Sequence, residues 1–131
     1  MPAMANIEMY EGSGFNIYFT LKYGANFDGG TEGQPIPRST LSRVYLYVKR
    51  KSDSTVLFTL SDRTDALVDQ PSQIQWTNEN GGLCTAKILS SHTTGKQELD
   101  CIFELWGTLV SNAQSVLLDR GTVDILDSIK A

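Results

Sequence analysis

Apolar residues recur at every second position in run after run of this chain, and that period of two commits it to β-strands. In Phe15, Ile17, Phe19 and Leu21 they alternate with Asn16, Tyr18, Thr20 and Lys22, so an extended segment here has one apolar face and one polar face. Val44, Leu46 and Val48 alternate in the same way with Tyr45, Tyr47 and Lys49, and Leu99, Cys101, Phe103 and Leu105 with Asp100, Ile102, Glu104 and Trp106. No stretch carries the 3.6-residue repeat that a packed helix needs.

Turn residues punctuate these runs. Lys51-Ser52-Asp53-Ser54 leads from the Val44 run into Thr55–Leu60, which predicts a hairpin. Asn78-Glu79-Asn80-Gly81-Gly82 joins Gln73–Thr77 to Leu83–Leu89 in a second one, with glycine supplying the positive φ such turns use. Ser90–Gln97 is a short crossing with room for one helical turn. A turn near Ser111-Asn112 precedes the last run, from Ser115 through Arg120-Gly121 to Val123 and Ile125. About seven to eight strands separated by turns favour an antiparallel sandwich over an α/β fold. Two excursions stand out: Gly24–Pro37, rich in Gly, Pro and Asx and too irregular for helix or strand, and Ser61–Ser72. Long loops in compact domains are often functional.

The chain has 131 residues, the size of one domain, and such a domain buries roughly two-thirds of its unfolded surface. We expect residues 1–131 to form a single β-sandwich domain. Its core should include Phe15, Ile17, Phe19, Val44, Leu46, Val48, Phe58, Cys101 and Phe103. A net charge of -4 argues against a nucleic-acid partner, because phosphate affinity comes from clustered Lys and Arg. The one basic concentration, Arg43, Lys49, Arg50 and Lys51, reads as the solvated face of a strand. No apolar run approaches the ~20 residues that span a bilayer, and the first six residues lack the features of a secretory signal. The expectation is a protein made in a cytoplasm, without a membrane partner.

Catalytic chemistry is thinly supplied. His92 is the only histidine and lies in a polar connection, where exposure to solvent is the expectation. Cys84 and Cys101 are too few for a structural zinc site. Parity allows them to pair, a reducing compartment disfavours it, and two small buried hydrophobes is the reading adopted. Asp28, Asp62, Asp65 and Asp69 lack the spacing of a calcium loop. Gly29-Gly30 and Gly81-Gly82 are turn glycines, since neither precedes Lys-Ser/Thr nor opens a helix. No enzyme activity, cofactor or metal is expected. More informative are Tyr18, Tyr45, Tyr47 and Trp106, large aromatics on the side opposite the apolar alternation, of the kind enriched where proteins meet partners.

Glu11-Gly12-Ser13-Gly14-Phe15-Asn16-Ile17-Tyr18-Phe19-Thr20-Leu21, then Gly33-Gln34-Pro35-Ile36-Pro37 before a strand ending Val48-Lys49-Arg50, resembles the small immunoglobulin-like virion domains of tailed bacteriophages, among them the N-terminal domain of the upper baseplate protein. Ile74-Gln75-Trp76, the strand from Leu99 to Trp106, and Leu117–Leu126 continue the resemblance from about Ile7 to Ile129. It departs at Cys101, where the family has Tyr. The resemblance implies an immunoglobulin-like fold and a structural role in a phage particle. It carries no catalytic residues.

The expected function is therefore a structural component of a tailed-bacteriophage virion. A chain that stops soon after Ile125 fits a capsid-associated decoration or accessory subunit better than a tail or baseplate scaffold, which is the alternative. A carbohydrate-binding module is the alternative of another class, because outward Tyr and Trp can stack on sugars. Expected partners are other phage structural proteins, of capsid or tail, and copies of the chain itself. Contact is expected through Tyr18, Asn26, Phe27, Asp28, Tyr45, Tyr47 and Trp106, with the two long loops reaching a neighbour and an edge strand at Ile7–Tyr10 open to strand addition.

Overall fold

The structure is a computed structural model that describes residues 5–23, 32–62, 73–111 and 113–127. Among the described residues eight strands form two sheets: β1 (Ala5–Tyr10), β2 (Phe15–Thr20), β3 (Leu41–Arg50), β4 (Val56–Ser61), β5 (Ile74–Asn78), β6 (Leu83–Ile88), β7 (Glu98–Leu109) and β8 (Ser115–Leu126). One sheet has the order β1-β8-β7-β3-β4, the other β2-β6-β5. Every pairing is antiparallel except that of β1 with β8. The fold is an all-β sandwich, as the alternation predicts. β7 extends to Leu109, beyond the expected end at Trp106, while β8 follows the expected last run and ends at Leu126.

The core lies between the sheets, where the apolar half of each alternation meets. Ile17, Phe19, Val44, Leu46, Val48, Phe58, Cys101 and Phe103 are buried as expected, and Phe15 packs half-buried against them. Leu99 is exposed although it shares the alternation with Cys101 and Phe103. The cause is a register break between Glu98 and Cys101, with Asp100 at φ 57, which resets the phase of β7. The Asp100 N–H is held by Asp124 Oδ1 at 2.9 Å.

The excursion after β2 is more ordered at its return than its composition suggests. Lys22 bridges Pro35, Tyr23 N donates to Gln34 O at 2.9 Å, and Ile36 is a core residue. A short 3-10 turn, Arg38–Thr40, then enters β3. The expected contact residues Asn26, Phe27 and Asp28 lie outside the described residues, as does 63–72 of the second excursion.

The crossing from β6 to β7 contains one helical turn, α1 (Ser90–Thr93), and corrects the expectation that His92 faces solvent. His92 is 4% exposed. Its ring stacks on Phe58 with centroids 5.4 Å apart, and its Nδ1 accepts from Leu89 N at 2.8 Å. The ring is thus packed against Phe58 on β4, which is far away in sequence. Thr93 Oγ1 fixes the helical turn to the β1–β2 turn by accepting from Gly12 N at 2.9 Å.

β1 sits at the edge of the larger sheet, as expected for Ile7–Tyr10. The opposite edge is blunted, because Lys96 Nζ donates to the Leu57 carbonyl and lies over the Phe58 ring. A cation on a strand edge disfavours pairing with another chain.

Candidate functional site

Strand alternation turns Arg43, Tyr45, Tyr47 and Lys49 of β3 to the outside of the larger sheet, and the register then decides what stands beside them. Arg43 faces Thr108, Tyr45 faces Trp106, Tyr47 faces Glu104, and Lys49 faces Ile102. On β8 the same rows continue with Ser115, Leu117, Arg120 and Thr122. A register break between Leu105 and Trp106 brings Leu117 level with Trp106 while Leu118 packs on the core side. This places Tyr45, Trp106 and the 40%-exposed Leu117 in one apolar row, with charged side chains beyond it.

The face is organised by charge as well as by shape. The Tyr45 and Tyr47 rings stack at 6.1 Å, with the Arg43 guanidinium over Tyr45 at 5.8 Å and the Lys49 ammonium over Tyr47 at 5.5 Å. Arg43 also donates to the Tyr45 hydroxyl. Lys49 Nζ donates to Glu104 Oε1 at 2.7 Å, and Trp106 Nε1 donates to the same oxygen at 3.2 Å. The Lys49 hydrogen bond holds the Glu104 carboxyl below its usual range against the opposing effect of burial. Cation–ring and ring–ring contacts of this kind fix side chains that would otherwise sample several rotamers. The patch is therefore preorganised.

The structure thus gathers three of the expected contact residues, Tyr45, Tyr47 and Trp106, on one face. Tyr18, 76% exposed, lies on β2 in the other sheet and does not join them. The basic concentration also divides: Arg43 and Lys49 belong to the face, while Arg50 pairs with Glu98 at 2.6 Å and with Asp53 at 3.2 Å. Asp53 in turn accepts from Thr55 N at 3.0 Å and fixes the β3–β4 turn.

Asp62 falls at the start of the Ser61–Ser72 excursion, where its spacing from the other acids excludes a calcium loop and nothing marks it as a buried group. Its side chain is 2% exposed and accepts from Val44 N at 3.0 Å and from Trp76 Nε1 at 3.1 Å. It thereby ties the β4 edge of one sheet to the β5 edge of the other, with Arg38 at 3.7 Å. No local signal marks it, since both donors come from other strands. Cys84 and Cys101 are buried and not bonded to each other. Burial pushes their thiols up to about 12 and about 11, far from a reactive thiolate. Among the described residues no three His, Cys, Asp or Glu side chains gather into a metal site, and no helix is long and apolar enough to cross a membrane.

The topology defines the class. A three-stranded sheet, β2-β6-β5, packed on a larger one, β1-β8-β7-β3-β4, is the two-layer arrangement of an immunoglobulin-like sandwich. No protein-family profile matches the chain, and no curated protein matches it. Among solved structures it is similar to the crystal structure of the ZIG-8–RIG-5 IG1–IG1 heterodimer, at 10% identity over 95% of this chain and 84% of that one, with a TM-score of 0.43.

Proposed function

We propose that this chain is a structural subunit of a tailed-phage particle, most naturally a capsid-associated accessory protein, and that it docks through the outer face of its larger sheet. The observation that carries the docking surface is the row of Tyr45, Trp106 and Leu117, held in place by the stacked tyrosines and the Lys49–Glu104 pair. Aromatic side chains ordered before contact lose little entropy on binding, which is what makes them good interface anchors. The virion assignment rests on the sequence resemblance to phage immunoglobulin-like domains.

The chemistry of the face supports a partner of complementary charge. Across the four rows from Arg43 to Lys49, the charged side chains of β3, β7 and their β8 partners are Arg43, Lys49 and Arg120 against Glu104, on a chain of net charge -4. A protein surface that is acidic around an apolar centre complements such a patch, and charge of this kind steers encounter. A sugar fits it less well, because Arg43 and Lys49 already lie over the tyrosine rings on which a sugar would stack.

Mass spectrometry of washed virions tests the assignment. The protein should be present in many copies, and Trp106→Ala or Arg43→Glu variants, folded by circular dichroism, should be lost from the particle. Absence of the unaltered protein from washed particles overturns the virion assignment. Full retention of both variants overturns the docking face.

A further inference from the structure

Asn80 is the only asparagine in the chain followed by glycine, and it is exposed in the turn between β5 and β6. An asparagine carboxamide can be attacked by the backbone nitrogen of the next residue, and glycine, having no side chain, obstructs that approach least. Asn16, by contrast, precedes the branched Ile17 within β2, where the strand holds the backbone away from the required geometry.

The turn adds a restraint. Gly81 N–H donates to Asn78 Oδ1 at 2.9 Å, so the nitrogen that would attack Asn80 is engaged by a different side chain. We propose that Asn80–Gly81 is a spontaneous deamidation site whose rate in the folded protein is governed by the Asn78 carboxamide. In the reaction Gly81 N gives its proton to solvent base and bonds to Asn80 Cγ, the Cγ–Nδ2 bond breaks, and the departing nitrogen takes up a proton and leaves as ammonia. Water then opens the resulting succinimide at either carbonyl, giving aspartate or isoaspartate. Water is the only co-reactant, and nothing is oxidised or reduced.

The product matters because the turn is clamped on both sides. Arg38 N donates to Glu79 O and Leu21 N donates to Gly82 O, each at 2.8 Å. Isoaspartate inserts an extra main-chain carbon between those clamps and forces one of them open. Aspartate changes the charge and leaves the spacing intact.

Incubation of the full chain at mildly alkaline pH, followed by peptide mass mapping and enzymatic isoaspartate labelling, tests this directly. Conversion should localise to Asn80. Asn78→Ala should accelerate it severalfold in the folded protein and leave it unchanged in urea, where the guarding bond is absent from both chains. Asn78→Asp, which keeps an acceptor oxygen, should stay slow, and this separates loss of the hydrogen bond from general loosening of the turn. Equal folded-state rates for Asn78→Ala and the unaltered chain, a fast Asn78→Asp, or no conversion at Asn80 in urea overturns the proposal.

Discussion

The rings of Phe19 on β2 and Phe103 on β7 meet across the interior with centroids 5.9 Å apart and planes tilted by 59°. This tilted aromatic pair, a favourable ring geometry, spans the two sheets. Truncating either ring should cost about 3–5 kcal/mol. Urea denaturation of both single variants and the double variant should show a coupling of about 0.5–1.5 kcal/mol, and strict additivity would show that the rings do not act as a pair.

The two thiols should be silent in the native protein. With Cys84 raised to about 12 and Cys101 to about 11, both by burial first, iodoacetamide at mildly alkaline pH should label neither until denaturant is added. Rapid labelling of the native chain would contradict their burial.

Gly82 should not tolerate a side chain. Its φ is +70, and a Cβ there would stand 2.5 Å from the Leu21 carbonyl oxygen and 3.0 Å from that of Ile36, both of them backbone atoms that cannot swing aside. Gly82→Ala should lower stability by more than about 1 kcal/mol, read as a shift in the thermal midpoint. Gly95, also at positive φ but in open space, should be affected less by the same change.

Asp62→Ala should remove the acceptor of both Val44 N and Trp76 Nε1. Leaving such donors without an acceptor costs about 1–3 kcal/mol each where water cannot replace it. Trp76 fluorescence should shift as the indole loses its partner, and an unchanged spectrum and midpoint would show that the carboxylate does not tie the sheets together.

Acid should weaken the outer face in a defined window. The Glu104 carboxyl is held below its usual range chiefly by Lys49, so its contribution is fully present above the unfolded value, about 4.3. It is lost as pH falls through the lower folded value. The pair is partly exposed, so its contribution is at most about 1 kcal/mol. Glu104→Gln should flatten that part of the stability–pH curve, and an unaltered curve would count against the pairing.

Local sequence was sufficient for the strands, because alternation is a property of neighbouring residues: the inward set of Ile17, Phe19, Val44, Leu46 and Val48 follows from period two alone. The outward placement of Tyr45, Tyr47 and Trp106 follows from the same rule. Which of them share a face did not. Tyr18 obeys the identical pattern yet lies on the other sheet, and only the assembly of β3 with β7 sets Tyr45 beside Trp106. His92 and Asp62 looked like loop residues because their partners, Phe58, Val44 and Trp76, come from distant strands. Leu99 misled because a register break, which leaves no mark in hydrophobic period, reverses the phase of a strand. The sequence determined by itself that the chain alternates and turns into strands, since those preferences act between adjacent residues. The tertiary structure decided which polar side chains are buried and which aromatics form one surface, since burial and neighbourhood depend on how the two sheets close upon each other.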